Sequence, residues 1–400
     1  MDSRLALEKR FHALLDVFLE MPAAERAAAL DALDGDDASL RERLTRALDF
    51  EDEAVDDLLE HPKPIARIAA VGSLLAEPLV GDGAFPGGTA FLSGPVPRFV
   101  GPYVLHEILG QGGMGRVFRA EQVEPEPREV ALKLMRSSIK TPETRRRFEA
   151  ERRTLDRLEH PNIGRIVDSG TTDDDYPYFA MELLESQSIT KYCDRRRLGL
   201  RDRLRLLADV CLGLAHAHGR RVLHRDVKPS NILVVDTDGR PTPKIIDFGI
   251  ATVLDATPDD AIAIRGLTGT PSYMSPEALA GKAEELDARS DIYSCGAVLY
   301  ELLVGRPPVE AAGGDYPGAV CRIIAGDVEA PSAAIRALEP AAGRKAAIRR
   351  GLPGAEALAA RLGGALDRLA LKALATDPGE RYADADDFAR ALRTAASRGD

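Results

Sequence analysis

The chain has 400 residues, which is too long for one compact domain of the usual size, so we expect two or three units. Its 44% hydrophobic and 29% charged residues are typical of a globular protein and exclude a fibrous or wholly disordered chain. The net charge of −11 lies almost entirely in residues 1–60, which hold 17 acidic and 7 basic side chains. This acidic segment argues against nucleic-acid binding there, because nucleic acids repel negative charge.

Cysteine usage and hydropathy indicate the compartment. The four cysteines are far apart and form neither a CxxC pair nor a metal-binding spacing: Cys193, Cys211, Cys295 and Cys321. Reduced thiols are therefore expected. The opening "MDSRLALEKR" lacks the apolar core of a signal peptide, and no apolar run is long enough to span a bilayer. These features predict a cytoplasmic protein with no membrane segment in this chain.

Residues 1–60 are predicted to form a small helical module. Leucine and phenylalanine recur at helical spacing from Leu5 to Leu19, Pro22 suits the first turn of a second helix, and Ser39 could cap a third. The acidic surface of the module is either simply solvated or a docking surface for a basic partner. Residues 61–98 are rich in Pro and Gly and predict a linker. From about Phe99 the pattern changes to strands, and from about residue 200 to helices.

The first strands carry a glycine motif in "ILGQGGMGRVFRA". Gly110, Gly112 and Gly115 have the spacing G-x-G-x-x-G. In a dinucleotide-binding fold a helix would begin at the third glycine. Here the residues after Gly115 alternate between polar and apolar, which predicts a hairpin between two strands. A glycine hairpin can lie flat over phosphates and point its amides at their oxygens.

The next strand, "VALK", ends in Lys133, which shares a face with the small residue Ala131. That face has room for a flat ring, and below the glycine hairpin the lysine could meet phosphate oxygens. Glu151 lies in a charged helical segment on the same face as Phe148, Leu155 and Leu158. A carboxylate on a buried face needs a cation, and Lys133 is the candidate. The alternatives are a solvated edge lysine and a surface glutamate.

Two loops supply catalytic groups. In "HRDVKPSNILVV", Asp226 can accept a hydroxyl proton and Lys228 can meet a transferring phosphate. The side-chain oxygens of Asn231 and of Asp247, in "KIIDFGIA", are hard ligands suited to magnesium. His224 is interpreted as a packed structural imidazole rather than an acid or base.

These motifs together resemble the eukaryotic-like (Hanks-type) protein kinases of bacteria over about residues 100–396. The resemblance rests on "GQGGMGRV", "VALK", "RFEAERRTL", "FAMELLE", "HRDVKPSN", "DFG", "GTPSYMSPEAL", "SDIYSCGAVLYELL" and "DPGERYADA" in order. It implies an α+β bilobal fold with the kinase domain at 99–396, its N-lobe at 99–182 and its C-lobe at 183–396. It also implies that Asp291 anchors a helix and that Arg381 pairs with Glu277.

The resemblance assigns the nucleotide site. Residues implied to bind ATP are Gly110, Gln111, Gly112, Gly113, Met114, Gly115, Val117, Ala131, Lys133, Met181 as gatekeeper, and Glu182 and Leu184 through the backbone. Asp226, Lys228, Asn231, Lys133 and Glu151 are the implied catalytic residues, and Asn231 and Asp247 the metal ligands. The implied cofactors are ATP and Mg²⁺, with Mn²⁺ as an alternative.

The resemblance also addresses the substrate and the switch. Lys228, together with Thr270 in "GTPSYMSPE", is the serine/threonine pattern and implies protein substrates, with self-association for autophosphorylation. Arg225 is expected to receive an activation-segment phosphate on Thr268, or secondarily on Thr257. Alternatively, Asp259 or Asp260 already supplies that anion. Relatives commonly continue into a membrane helix and a sensor region, whereas this sequence stops at Asp400; either that part was removed or the protein lacks it.

Two other functions remain open at this point: a catalytically inactive kinase-fold scaffold and a small-molecule phosphotransferase. A scaffold would have lost the phosphate lysine, the catalytic aspartate or the magnesium aspartate, yet Lys133, Asp226 and Asp247 are all present. Small-molecule phosphotransferases usually lack Lys228 and the "GTPSYMSPE" anchor. The sequence therefore favours a protein kinase.

Overall fold

The computed structural model describes residues 99–112, 115–123, 126–135, 158–237, 239–248, 271–281, 286–310 and 315–397, with single positions between 146 and 155. All of them belong to the compact unit Gly83–Asp400. The helices predicted in residues 1–60 and the linker predicted at 61–98 lie outside the described residues. So do several residues that the sequence singled out: Gly113, Met114, Glu151, Thr257, Asp259, Asp260, Thr268 and Thr270.

Six antiparallel strands form the first sheet, in the order β1-β2-β3-β4-β6-β5. The strands are β1 (Phe99–Val100), β2 (Tyr103–Gly112), β3 (Gly115–Gln122), β4 (Arg128–Met135), β5 (Ile166–Thr171) and β6 (Pro177–Glu182). Gly112 of β2 lies opposite Gly115 of β3, so the predicted hairpin is confirmed. No helix begins at the third glycine, because the chain continues directly into β3.

The two faces of this sheet have different roles. Strand alternation places Phe118, Leu132 and Ala180 on one face, where each is fully buried in a core that belongs to the sheet. The opposite face carries the residues between them, because Val117 pairs with Lys133 and Ala131 pairs with Met181 across the strands. The predicted separation of Leu132 from Lys133 is confirmed, and the face that carries Val117, Ala131, Lys133 and Met181 is the candidate ligand face.

The rest of the described chain is mostly helical. A second sheet joins β7 (Ser186–Ser188), β8 (Ile232–Thr237) and β9 (Arg240–Ile245). The helices are α1 (Ile189–Arg195), α2 (Leu200–His218), α3 (Pro276–Leu279), α4 (Ala288–Val304), α5 (Tyr316–Ala325), α6 (Pro331–Ala337), α7 (Pro340–Arg349), α8 (Ala355–Leu362), α9 (Ala365–Ala373) and α10 (Ala385–Ser397). Within the described part of the chain, no helix has both the length and the apolarity that a bilayer crossing requires.

Helix α4 forms the centre of the helical part. It is buried nearly all round, and its sequence is correspondingly apolar on every side. Asp287 caps its first turn by accepting a hydrogen bond from the Arg289 amide, and Gly305 ends it with a φ of 103°. Cys295 lies within this core, and all four cysteines are free, as predicted.

The two sheets are joined by a short backbone connection just before β5. The Gly164 amide donates to Ile245 O at 2.8 Å, and the Ile245 amide donates to Asn162 O at 2.9 Å. A Cβ at Gly164 would lie 2.9 Å from Cγ2 of Ile246, so glycine allows this close approach. Strand β9 and the loop that follows it are therefore held directly beside the first sheet.

Candidate active site

The glycine hairpin joins β2 to β3, two strands of the sheet that carries the ligand face. Gly110, Gln111 and Gly112 end β2, and Gly115 begins β3. A Cβ at Gly115 would lie 2.2 Å from Leu134 O, so only glycine fits this close approach of β3 to β4. A Cβ at Gly110 would meet no described atom within 4 Å. The backbone of the hairpin therefore packs tightly against β4 at Gly115, whereas at Gly110 there is free space beside the backbone.

Lys133 lies on β4 opposite Val117, two residues after Gly115, and is only 7% exposed. Its Nζ is 2.9 Å from Oδ2 of Asp247, which joins β4 to the loop after β9. The sequence predicted Glu151 as its partner; Glu151 lies outside the described residues, so that pairing stays a prediction. Among the described residues the lysine meets the expected metal ligand, a contact that sequence reasoning missed.

Asp247 has two distinct carboxylate oxygens. Oδ2 holds Lys133, whereas Oδ1 is buried and has no hydrogen-bond partner among the described residues. The backbone of Asp247 has a φ of 64°, a conformation that costs free energy for a non-glycine residue and is often found at functional sites. A buried carboxylate oxygen without a partner is costly unless a cation meets it, so this atom fits a metal ion.

Asp226 is held from two sides. Nζ of Lys228 is 2.8 Å from its Oδ2, and Nδ2 of Asn231 donates to the same oxygen at 2.9 Å and to Asp226 O at 2.8 Å. Because Nδ2 of Asn231 faces Asp226, its Oδ1 remains as an acceptor. Asn231 O also accepts the Ile246 amide at 2.9 Å, which brings Asn231 beside the loop that carries Asp247.

His224 is fully buried and supports this loop from beneath. Its Nδ1 accepts the Asp226 amide at 3.2 Å, so its Nε2 carries the proton and donates to Ile246 O at 2.9 Å. Its ring contacts Phe248 with centroids 4.7 Å apart. The predicted structural role of His224 is confirmed, because both ring nitrogens are used by the backbone.

Asp291 of α4 anchors the same loop. It accepts the amides of His224 and Arg225 and Nε2 of His218, each at 2.8 Å. Burial opposes its ionisation most strongly, but the hydrogen bond from His218, the charges of His218 and His224 and the hydrogen bond from the His224 amide together outweigh burial and lower the pKa of Asp291 below its ordinary value. The sequence indicated Asp291 but not His218, since nothing in local spacing connects the end of α2 to α4.

The backbone amide of Arg225 donates to Asp291, and the backbone φ of Arg225 is 63°. Its side chain is exposed, and no acid forms an ion pair with it within the described ranges. The threonines and aspartates predicted to supply its anion lie outside those ranges. The role of Arg225 as a phosphate receptor therefore stays a prediction.

The connection between the sheet and the helices carries Met181, Glu182 and Leu184. Met181 lies opposite Ala131 on the ligand face. Oε1 of Glu182 accepts Nζ of Lys244 at 2.7 Å and the Arg165 amide at 2.9 Å. The sequence predicted a role only for the backbone of Glu182, and the contacts of its side chain with Lys244 and Arg165 were not predicted.

A buried ion pair fixes the end of the segment that follows the active site. Nη1 and Nη2 of Arg381 donate to the two carboxylate oxygens of Glu277 at 2.8 and 2.7 Å, which confirms the predicted pair. Ser290 adds a hydrogen bond to Glu277 at 2.7 Å. Burial opposes the charge, but these hydrogen bonds outweigh it and lower the pKa of Glu277 to about 2.

Comparisons with known proteins agree with this arrangement. A family model for the protein kinase domain matches residues 103–326. The chain is 34% identical over 296 residues to serine/threonine-protein kinase pkn3 of Myxococcus xanthus, covering 73% of this chain and 49% of that protein. It is 33% identical over 301 residues to serine/threonine-protein kinase PrkC of Bacillus subtilis, covering 74% of this chain and 41% of that protein.

A solved structure is also similar. A mutant form of the Mycobacterium tuberculosis PknI kinase domain matches with a TM-score of 0.52 and 26% identity, over 74% of this chain and 97% of that chain. The chain belongs to the protein kinase family, and the predicted α+β bilobal fold is confirmed. It spans half or less of the length of the curated relatives named above.

Proposed function

We propose that the chain is a serine/threonine protein kinase that transfers the γ-phosphate of ATP to Ser and Thr hydroxyls of proteins, including its own. The observation that carries this proposal is the joined group of Asp226, Lys228 and Asn231, with contacts of 2.8 to 2.9 Å. In this proposal Asp226 is the proton acceptor, Lys228 is the cation and Asn231 contributes an amide oxygen, all from one loop. The names of the bacterial relatives, which are serine/threonine-protein kinases, support the substrate class.

The residues present fit ATP and a divalent cation. The unpartnered Oδ1 of Asp247 and the Asn231 side-chain oxygen are hard donors that would hold Mg²⁺ or Mn²⁺. Bound magnesium would neutralise charge on the phosphates. Val117, Ala131 and Met181 share the ligand face and would contact the adenine, while backbone groups of Glu182 and Leu184 would bind its edge. Lys133 would meet the phosphates, together with the amides of the glycine hairpin.

The catalytic steps then follow from the loop. The substrate hydroxyl oxygen forms a bond to the γ-phosphorus while the bond from that phosphorus to the bridging oxygen of ADP breaks. Asp226 accepts the hydroxyl proton. Lys228 faces the charge that spreads over the transferring group, and Asn231 keeps the Asp226 carboxylate oriented. The buried His224 and Asp291 fix the backbone that carries these groups.

The two alternatives are less well supported. An inactive scaffold has no need for a lysine held at 2.9 Å from the metal-site aspartate, or for an unpartnered buried oxygen on that aspartate. A small-molecule phosphotransferase would be expected to lack Lys228, which here contacts Asp226 directly. Both alternatives make different predictions for phosphate transfer to a protein.

The test is phosphate transfer from Mg-ATP to a generic protein substrate and to the chain itself, followed by mass spectrometry. Asp226→Asn should lower transfer by about 10²- to 10⁴-fold and leave nucleotide binding intact, because only the proton acceptor is lost.

Lys133→Met should lower activity by misplacing the phosphates, and Asp247→Ala should weaken Mg-ATP binding. Asp236→Asn, an exposed change on β8, is the matched control.

Several results would contradict the proposal. Equal transfer by wild type and Asp226→Asn would show that Asp226 is not the base. Normal Mg-ATP binding by Asp247→Ala would remove the metal role of Asp247. ATP binding without any transfer to protein would favour the scaffold, and transfer only to small hydroxyl compounds would favour the small-molecule phosphotransferase.

A further inference from the structure

A second cavity lies among helices of the helical part, apart from the residues assigned to catalysis. Its volume is about 730 Å³, within the range of about 300 to 1,000 Å³ that is usual for small-molecule sites. It is bounded by the start of α2, the loop after α7, the facing parts of α8 and α9, and the second half of α10. None of these elements carries a catalytic or ATP-binding residue assigned above.

The floor of the cavity is apolar. The larger aliphatic side chains that line it are Leu200, Leu204, Leu352, Leu366 and Leu369. Leu204, Leu366 and Leu369 are buried at 8% exposure or less. The small side chains Ala391 and Ala395 also line it, as does Tyr382, whose ring stacks on Phe388 and lies 4.4 Å from Nζ of Lys372. Such a surface favours an apolar occupant, because burying apolar area releases free energy.

The charged side chains of the lining all have the same sign. No described lining residue is acidic. Five lining residues are basic: Arg201, Arg350, Arg361, Arg368 and Lys372. This positive group stands out in a chain whose net charge is −11. Arg361, Arg368 and Lys372 are exposed at the mouth, whereas Arg350 is 2% exposed and lies deep. Positive charge at the mouth over an apolar floor is complementary to an anionic amphiphile.

The acid next to Arg368 in sequence already has partners. Asp367 accepts the amide and hydroxyl of Ser332 at 2.9 and 2.6 Å. Both of its carboxylate oxygens are therefore used by a residue outside the lining.

Arg350 adds a fixed charge at the inner end. Its guanidinium donates to the carbonyls of Leu302, Ala346 and Glu301 at 2.9 to 3.0 Å, all neutral acceptors. Burial, and then the charge of Arg203, lowers the pKa of Arg350 to about 9, so it is still charged at neutral pH. Asp194, the nearby acid, forms its ion pairs with Arg203 and Arg349.

We propose that this cavity binds an anionic amphiphile, with its apolar body on the leucine floor and its carboxylate or phosphate head at the cations of the mouth. Arg368 and Lys372 would hold the head through charge-assisted hydrogen bonds. Ala395, on α10, would contact the apolar body. The site is independent of the proposed phosphotransfer chemistry, so binding can be measured without an activity assay.

The test is isothermal titration of the full 400-residue chain with sodium dodecanoate and with dodecyl phosphate, below their micelle concentrations. Both should bind at one site per chain, and the tighter of the two identifies the preferred head group. Dodecan-1-ol, which has the same chain and no charge, should bind about tenfold more weakly or worse, since each charge-assisted hydrogen bond contributes more than a neutral one.

Two variants locate the site. Arg368→Gln combined with Lys372→Gln should weaken dodecanoate binding about tenfold, and Ala395→Phe should fill the floor and abolish it. Arg344→Gln combined with Lys345→Gln is the matched control, because it removes one exposed arginine and one exposed lysine outside the lining. Thermal unfolding and phosphate transfer by each variant check that the fold is intact.

The proposal is overturned if neither amphiphile binds the wild-type chain. It is also overturned if dodecan-1-ol binds as well as dodecanoate, or if Ala395→Phe leaves binding unchanged while the chain stays folded. Binding of an acidic amphipathic peptide of leucine and glutamate, with no binding of dodecanoate, would assign the cavity to a protein segment instead.

Discussion

The Glu182 side chain joins three parts of the chain at the edge of the proposed nucleotide site. It belongs to the end of β6, and its Oε1 accepts hydrogen bonds from Lys244 of β9 and from the Arg165 amide before β5. Both side chains are partly buried, at 29% and 19% exposure for Glu182 and Lys244. This pair therefore ties the connection between the two lobes to the second sheet, and with it the backbone proposed to bind adenine.

Lys244→Met should remove that tie and leave the catalytic groups in place. We expect the KM for ATP to rise about three- to tenfold with kcat little changed, because ground-state binding of the nucleotide is what the pair supports. Steady-state kinetics with varied ATP measures this. Lys191→Met, at an exposed position of α1, is the matched control. A fall in kcat at unchanged KM would show instead that Lys244 acts on the chemical step through the neighbouring Asp247.

The buried carboxylate of Glu277 makes the stability of the chain depend on pH. Its pKa is about 2 in the folded chain against an ordinary value of 4.5. A lowered carboxyl pKa contributes stability above the unfolded value, and that contribution is lost as the pH falls from about 4.5 towards about 2. The shift corresponds to about 3 kcal/mol of unfolding free energy, to an order of magnitude.

Urea unfolding of wild type and Glu277→Gln at several pH values tests this. The variant should be less stable at pH 7, because Arg381 is left buried without its anion. The difference between the two proteins should shrink below about pH 4.5. Glu329→Gln, at an exposed position, should show no such change. A difference that stays constant from pH 7 to pH 3 would rule out the proposed linkage.

Two glycines of the hairpin between β2 and β3 have different surroundings, and we expect one to serve packing and the other ligand binding. Gly115 lies where a Cβ would clash with the backbone of β4, whereas Gly110 faces space that is empty of described atoms. The same motif therefore contains one glycine required by the fold and another that leaves room for a ligand. The G-x-G-x-x-G spacing alone does not distinguish Gly110 from Gly115.

Gly115→Ala and Gly110→Ala should consequently differ. Gly115→Ala should destabilise the chain by about 1 to 3 kcal/mol, because β3 must move away from Leu134. Gly110→Ala should change stability by about 0.5 kcal/mol or less and should mainly raise the KM for ATP. Thermal unfolding and ATP kinetics on both variants separate these effects. Equal stability of the two variants would contradict the assignment.

Helices α2 and α4 illustrate how elements hold the catalytic loop. His218 ends α2, and Asp291 lies in the first turn of α4. Their hydrogen bond of 2.8 Å places the Asp291 carboxylate where it also accepts two amides of the catalytic loop. The loop geometry thus depends on the packing of two long helices, rather than on residues of the loop alone.

At the scale of the whole molecule, two hydrophobic cores support the site, and their described members all lie at Val100 or beyond. A chain that begins at Phe99 should therefore fold cooperatively and keep Mg-ATP-dependent transfer. Circular dichroism and the transfer assay, compared with the full chain, measure both. A shortened chain that is folded but inactive would show that residues 1–98 activate the enzyme.

Features that depend on local pattern could be predicted from the amino-acid sequence. Alternation after Gly115 predicted the hairpin, and the alternation of Leu132 and Lys133 predicted the two faces of β4, because side-chain direction in a strand is fixed by its period of two. The order of short motifs indicated the family, and with it the pairing of Glu277 with Arg381. The polar residues of "HRDVKPSN" were correctly expected to share one loop.

Contacts between residues far apart in sequence could not be predicted, because they depend on how the elements pack. The pairs His218 with Asp291 and Glu182 with Lys244 are separated by 73 and 62 residues, and no periodicity relates them. The contact of Lys133 with Asp247 and the unpartnered Oδ1 of Asp247 arise because β9 is held beside the first sheet. The cationic cavity also could not be predicted from the sequence. Its lining residues come from separate helices, and their charges are brought together only when the apolar faces of those helices pack.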